Sequence, residues 1–221
     1  MDYNYGSKDL MKFWYDTDKY FASEKWGENR ELTKLRPSFE TLKDKKDLIG
    51  VEVGVGNCLN AKNIYTQLDI KHLYLIDLQA PPGEPGISFI EEENVTFLQG
   101  NSLAILPNLP NDLDFIYLDS SHEFNHVIAE MQIAYSKIKK GGLLAGHDYE
   151  QIGPMLAFNT LMLNVWRAIK KKPESFFFGP CEDNHPGYPE EYLERGFPVD
   201  WWHVKNDDLP EDFTIYPLRN G

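Results

Sequence analysis

Residues 48–57 read LIGVEVGVGN, an apolar run of strand length that closes on E-x-G-x-G from Glu52 to Gly56. Glycines at such a point suit a strand turning sharply into a helix, so the rest of the chain should repeat that unit. It does. After the run come CLNAKNIYTQL, HLYLIDL, a Pro- and Gly-rich loop APPGEPG, VTFLQG, LDFIYLD, EFNHVIAEMQIAYSKIKK and GGLLAGHDY, alternately helix-like and strand-like. VEVGV, LYLI, FIYL and LLAG are too apolar for strands with one wet face, which points to a parallel sheet covered on both sides. Over 123–140, Phe124, Val127, Ile128, Met131, Tyr135 and Ile138 recur at spacings of three and four. That spacing predicts an amphipathic helix ended by Gly141 and Gly142.

Strands joined by crossover helices make an α/β fold. The expected architecture is a Rossmann-like, doubly wound, mostly parallel seven-stranded sheet with helices on both faces and an N-terminal helical cap. One domain is expected over 1–221: the aromatic, charged cap at 1–45, a cofactor-binding core at 46–150, and a closing part at 151–221. That last part is read as a helix near 156–171, the strand SFFFG, a polar loop from Pro180 to Pro198 long enough to be a lid, and the strand DWWHVK.

Twenty-two Lys plus Arg stand against 35 Asp plus Glu in 221 residues, a net charge of −13. Such a surface repels phosphate backbones and anionic lipid, so no nucleic-acid and no membrane partner is expected. Lys170, Lys171 and Lys172 close a helix, where cations complement its dipole. Cys58 and Cys181 form neither a CxxC pair nor a disulfide framework, which suits a reducing compartment. No apolar run approaches the roughly 20 residues of a membrane span, and the start has no signal-peptide pattern, so a cytoplasmic location is expected. Trp14, Tyr15, Tyr20, Phe21 and Trp26 either pack the cap or line a pocket, and exposed aromatics there leave a homodimer open.

The glycine turn discriminates between ligands. A dinucleotide fingerprint G-x-G-x-x-G would need glycine at 59, where the chain has Leu59, and no GxxxxGK[ST] phosphate loop occurs. An acidic residue two positions before G-x-G suits a ligand with a cationic amino-acid end, such as S-adenosylmethionine. Glu52, Gly54, Gly56 and Asn57 would hold that end. Asp77 closes the next strand, about 20 residues on, where a carboxylate accepts ribose hydroxyls. Asn101 and Ser102 close the third, placed for an adenine edge. A helix cap or polar strand end is the plain alternative for each residue alone; three successive strands ending this way argue for the ligand.

At these residues the chain resembles a class I S-adenosylmethionine-dependent methyltransferase, from Glu52 to about Tyr149. Within it, LDFIYLDSSHEFNHVIAEMQIAYSKIKKGGLLAGHDY resembles the small O-methyltransferases that include the macrolide-sugar (macrocin-type) enzymes, as does Thr17-Asp18-Lys19 upstream. The resemblance implies methyl transfer to a hydroxyl of a small-molecule acceptor. A nitrogen or carboxylate acceptor, or a non-catalytic nucleotide-binding module, stands as the alternative.

Asp119, His122, His147 and Asp148 lie at or just beyond two strand ends on the edge that carries Gly54 and Gly56. An unperturbed hydroxyl is a poor nucleophile, so a base or a Lewis-acid metal is expected. In the family pattern the D-x-x-H acid binds metal, its histidine is the base, and a later acidic pair completes the metal site. Carried over, His122 is the base, Asp119 meets metal and cofactor, and Asp148 is a second ligand to a divalent ion, Mg²⁺ first. His147 replaces the first carboxylate of the pair and joins the expected ligand set. The plain alternative makes Asp119 and His122 helix caps and His147 a loop histidine.

Overall fold

Strand β4, Leu113–Leu118, is buried at all six residues, and its alternation shows why the sheet is covered twice. Phe115 and Tyr117 enter one apolar layer; Ile116 and Leu118 enter the other. The computed structural model describes residues 35–149, 151–169, 176–180 and 199–206. Beside β4 run β1 (Leu48–Val53), β2 (Ile70–Asp77), β3 (Val95–Gln99) and β5 (Ile138–Gly146), all parallel, in the order β3-β2-β1-β4-β5. The sheet is mixed, because β7 (Val199–Val204) pairs antiparallel with β5 and β6 (Phe176–Pro180) antiparallel with β7. This is the Rossmann-like α/β arrangement read from the pattern, with two antiparallel strands at one edge.

Each apolar layer is closed by helices. Against one face lie α4 (Phe124–Lys137) and α5 (Ile152–Ile169), whose Val127, Met131, Phe158 and Leu161 are buried on Ile116, Leu118 and Leu144. Against the other lie α1 (Leu59–Gln67), the short α2 (Gly86–Phe89) and a 3₁₀ turn at Pro37–Leu42, burying Ala61, Ile64, Phe89, Phe39 and Leu42. Each fully buried aliphatic or aromatic side chain stabilises the fold by roughly 1.5–3 kcal/mol. Trp201 joins the first layer and Trp202 packs against the second, as alternation along a strand requires.

Three expectations change. The helix predicted over 123–140 ends at Lys137, and Ile138 opens β5 instead. Gly141 and Gly142 sit in an irregular stretch of that strand, where Leu113 pairs with Ile138 but Phe115 pairs with Leu143, and the Gly141 amide donates to Lys205 O at 2.7 Å. Gly141 supplies a φ of +78° and Gly142 leaves room where a Cβ would stand 2.5 Å from Ile138 Cγ2, so neither stops a helix. The helix expected near 156–171 starts at Ile152, and a one-turn helix α3 (Ser102–Ile105) follows β3. Residues 1–34 of the cap expected at 1–45, with Thr17-Asp18-Lys19, residues 181–198 of the expected lid loop, with Cys181, and Lys170 to Lys172 lie outside the described residues.

Candidate functional site

Sheet hydrogen bonding continues one residue past each central strand and sets the tips level. The Gly54 amide donates to Ile76 O (2.8 Å), Gly100 to Asp77 O (2.8 Å), Asp119 to Val53 O (2.8 Å) and His147 to Leu118 O (3.0 Å). Gly54, Asp77, Gly100, Asp119 and His147 therefore share one rim, and they open on a single cavity of about 1060 Å³. That is the upper end of the roughly 300–1,000 Å³ that holds small-molecule ligands, at the carboxyl edge where such sheets bind them.

Gly54 has φ +82°, and a Cβ there would sit 2.0 Å from Asp119 O, so a side chain would drive the β1 and β4 tips apart. A Cβ on Gly56 would meet nothing within 4 Å, which leaves that backbone open to a ligand. The Gly56 amide donates to Asp77 Oδ2 at 3.0 Å and thereby fixes the β2 carboxylate beside the turn. Glu52 is buried under the same turn. Its Oε1 accepts from Asn60 Nδ2 at 3.2 Å, but its Oε2, equally buried, has no hydrogen-bond partner among the described residues. Burial pushes its carboxyl up to about 8 against the Asn60 hydrogen bond. On the other side of Asn60, Oδ1 accepts from Arg36 Nε at 2.9 Å. One amide thus spaces a buried acid and a buried guanidinium along the cavity wall, a pairing complementary to an ammonium and a carboxylate on one carbon.

Asp119, His122, His147 and Asp148 all line the cavity, but they do not form one cluster: His122 pairs with Asp148, and His147 with Asp200. His122 Nε2 meets Asp148 Oδ2 at 2.9 Å, with Gln151 Nε2 3.3 Å from the same ring nitrogen. Its Nδ1 has no partner among the described residues. The Asp148 hydrogen bond lifts the His122 imidazole above its ordinary 6.5 despite burial. Burial drives Asp148 up, yet His147 and the His122 hydrogen bond outweigh it and hold that carboxyl below its usual value. Burial, with Asp148 nearby, lifts Asp119 to about 6, although His147 and Arg36 oppose it. A backbone contact seats the pair: a Cβ on Gly153, in the first turn of α5, would lie 1.8 Å from His122 O, so only glycine lets α5 press on the His122 loop.

His147 belongs to the second pair. Its Nδ1 lies 3.1 Å from Asp200 Oδ1 and 3.2 Å from Arg36 Nη1, and Asp200 also accepts from Arg36 (3.0 Å), Ser38 (3.1 Å) and Tyr117 (2.8 Å). The expected ligand set Asp119, His147 and Asp148 is not assembled: among the described residues no three His, Cys, Asp or Glu side chains close on a common point. The physical reason is local. A guanidinium stands against His147, and His122 takes the Asp148 oxygen, so the side chains as placed do not fit a divalent ion.

Asn101 and Ser102 line the cavity at the β3 tip, as expected, with other partners than a ligand alone. Asn101 Oδ1 caps α3 by accepting from the Leu103 amide at 2.9 Å. Ser102 Oγ donates to Glu130 Oε1 at 2.5 Å, and His126 Nε2 lies 3.1 Å from both. His126 lines the cavity beside Ser102. Asn57 lies on the cavity wall at the glycine turn.

Arg36, Asn60, Glu130 and Asp200 were not singled out from the sequence. Glu130 had a faint signal, as a lone acid on the buried stripe Val127, Met131, Ala134 of an amphipathic helix. Asp200 is the second residue of β7, a strand otherwise apolar but for His203. Arg36 and Asn60 had none.

A family model described as a methyltransferase domain matches residues 49–149. An uncharacterized protein of Acanthamoeba polyphaga mimivirus is 26% identical over 196 residues, covering 78% of this chain and 86% of its own length. The fold is similar to that of a spermidine synthase from Thermotoga maritima (TM-score 0.56, 14% identity, 81% of this chain and 61% of that one). It is also similar to MycE methyltransferase from the mycinamycin biosynthetic pathway, solved with Mg, SAH and mycinamycin VI (TM-score 0.50, 14% identity, 78% of this chain). The chain spans half the length of that enzyme.

Proposed function

We propose an acceptor and a base for a chain that is an S-adenosylmethionine-dependent methyltransferase, its residues 49–149 a methyltransferase domain. The acceptor is a hydroxyl of a small molecule, a sugar hydroxyl being the first to test, and the base is His122. The observation that carries this reading is the His122–Asp148 contact of 2.9 Å on the cavity that Glu52, Gly56 and Asp77 also line.

The residues fit the methyl donor. The unpartnered Oε2 of buried Glu52 suits an ammonium, Arg36 a carboxylate, the open backbone at Gly56 a close approach, and Asp77 a pair of ribose hydroxyls. Bound there, S-adenosylmethionine supplies an electrophilic methyl on a sulfonium that leaves as a neutral thioether, so no acid is needed at the leaving group. The chain's task is at the acceptor oxygen. Asp148 holds the Nε2 proton of His122, orients the ring, and stabilises the imidazolium formed when Nδ1 takes the hydroxyl proton. Because the side chains do not fit a divalent ion, no step passes through one.

The charge of the cavity supports a neutral or cationic acceptor. Asp77, Asp119, Glu123 and Asp148 line it, and the one guanidinium among its described lining residues, Arg36, is paired with Asp200 at 3.0 Å. A phosphorylated sugar or a nucleic acid would be repelled at this wall. The same acidity favours, as a second reading, an amine acceptor, which is cationic at neutral pH and needs no Lewis acid.

Replacing His122 by Ala tests the proposal. Turnover should fall ~10²–10⁴-fold, the range for a lost general base, while cofactor affinity holds. The base works when neutral and its pKa lies above 6.5, so wild-type turnover should climb with pH through and beyond that value. Unchanged turnover in the variant would reject His122 as the base. Locating the transferred methyl on oxygen or nitrogen by mass spectrometry separates the two acceptor readings.

A further inference from the structure

Glu130 plays no part in the chemistry above, yet it is fully buried beside the cavity and carries an unusual set of partners. Both hydroxyls that reach it come from strand tips: Ser102 at the end of β3 (2.5 Å) and Ser120 beyond β4 (2.8 Å to each carboxylate oxygen). His126, one turn earlier on α4, adds Nε2 at 3.1 Å. Ser102, Ser120 and His126 all line the cavity.

A carboxylate accepts and never donates, and a serine hydroxyl has one proton. Both serine protons must therefore point at Glu130, away from the cavity, and the face each oxygen turns outward is a lone pair. His126 must likewise carry its proton on Nε2, since both oxygens near it are acceptors. We infer that Glu130 is a specificity-determining residue: by holding the Ser102 and Ser120 protons inward, it makes this wall select a purine with a 6-amino donor over one with a 6-oxo acceptor. The inference rests on the reading that the adenine end of the cofactor lies at Gly100–Ser102.

The test uses the full chain and two probes, S-adenosylhomocysteine and its 6-oxo counterpart S-inosylhomocysteine, titrated calorimetrically. An unpaired buried acceptor pair costs enough that wild type should bind the adenine form at least ~10-fold tighter. Glu130→Met has no acceptor for either proton, so neither serine hydroxyl is held inward and both can donate to the cavity; the preference should collapse. Ser102→Ala removes the oxygen itself and should collapse it too, which keeps the question decidable should Glu130→Met fail to fold. A folded Glu130→Met or Ser102→Ala that keeps the wild-type ratio overturns the inference. Wild type without any preference overturns instead the placement of adenine at this wall, leaving the methyltransferase reading intact.

Discussion

Replacing Glu52 by Gln should make the ligand-free protein more stable at alkaline pH while weakening its hold on S-adenosylmethionine. In the folded chain burial raises this carboxyl from 4.5 to about 8, whereas in the unfolded chain it titrates normally. A raised folded-state value means the stability tied to this group is fully present below 4.5 and is lost as pH climbs through 8. The gap of about 3.5, at 1.36 kcal/mol for each pH unit, is ~5 kcal/mol as an upper bound, and relaxation of the site brings the expectation to ~2–4 kcal/mol. Against a typical total of about 5–15 kcal/mol this is large. Gln keeps the Asn60 contact without the proton. Urea unfolding of wild type and Glu52→Gln at pH 5, 7 and 9 should give curves that diverge with pH, the variant gaining. Saturating S-adenosylmethionine should then narrow the gap at pH 9, because the ammonium it brings meets an ionised Glu52 in wild type only. Parallel pH profiles for the two proteins, or equal stabilisation of both by the ligand, would refute the assignment of Glu52 as a buried acid waiting for a cation.

Gly153→Ala places a methyl where His122 O stands 1.8 Å away, so the α5 turn and the His122 loop must separate. We expect a stability loss of ~1–3 kcal/mol in thermal unfolding and turnover down by about 10²-fold with cofactor affinity kept. Wild-type kinetics in this variant would show that the seat of α5 does not position the base. Turnover should persist in EDTA after exhaustive dialysis, since the guanidinium at His147 and the His122 hydrogen bond on Asp148 occupy the places a divalent ion would need. Activity that vanishes in EDTA and returns with Mg²⁺ would contradict that side-chain arrangement.

The rim of the site was legible because it is a property of strands. Once LIGVEVGVGN, HLYLID, LDFIYLD and GGLLAGHD are read as neighbouring parallel strands, their last residues must fall on one edge, and Glu52, Gly54, Asp77, Asp119, His122 and Asp148 do line one cavity. Orientation was not legible. His147 stands where the pattern places it, but its ring is taken by Asp200, 53 residues on in a strand whose pairing with β5 is antiparallel. Ser102 sits at the expected tip, yet its proton is directed by Glu130, 28 residues away on a helix.

Period and order along the chain determined which residues arrive at the reaction edge, since a strand's side chains alternate and its end is marked by the first glycine or polar residue. Tertiary structure alone decided what those residues do there. Hydrogen bonds from Arg36, Asn60, Glu130 and Asp200 choose each proton's place, and a contact between side chains as far apart as 164 positions leaves no periodic trace in the sequence.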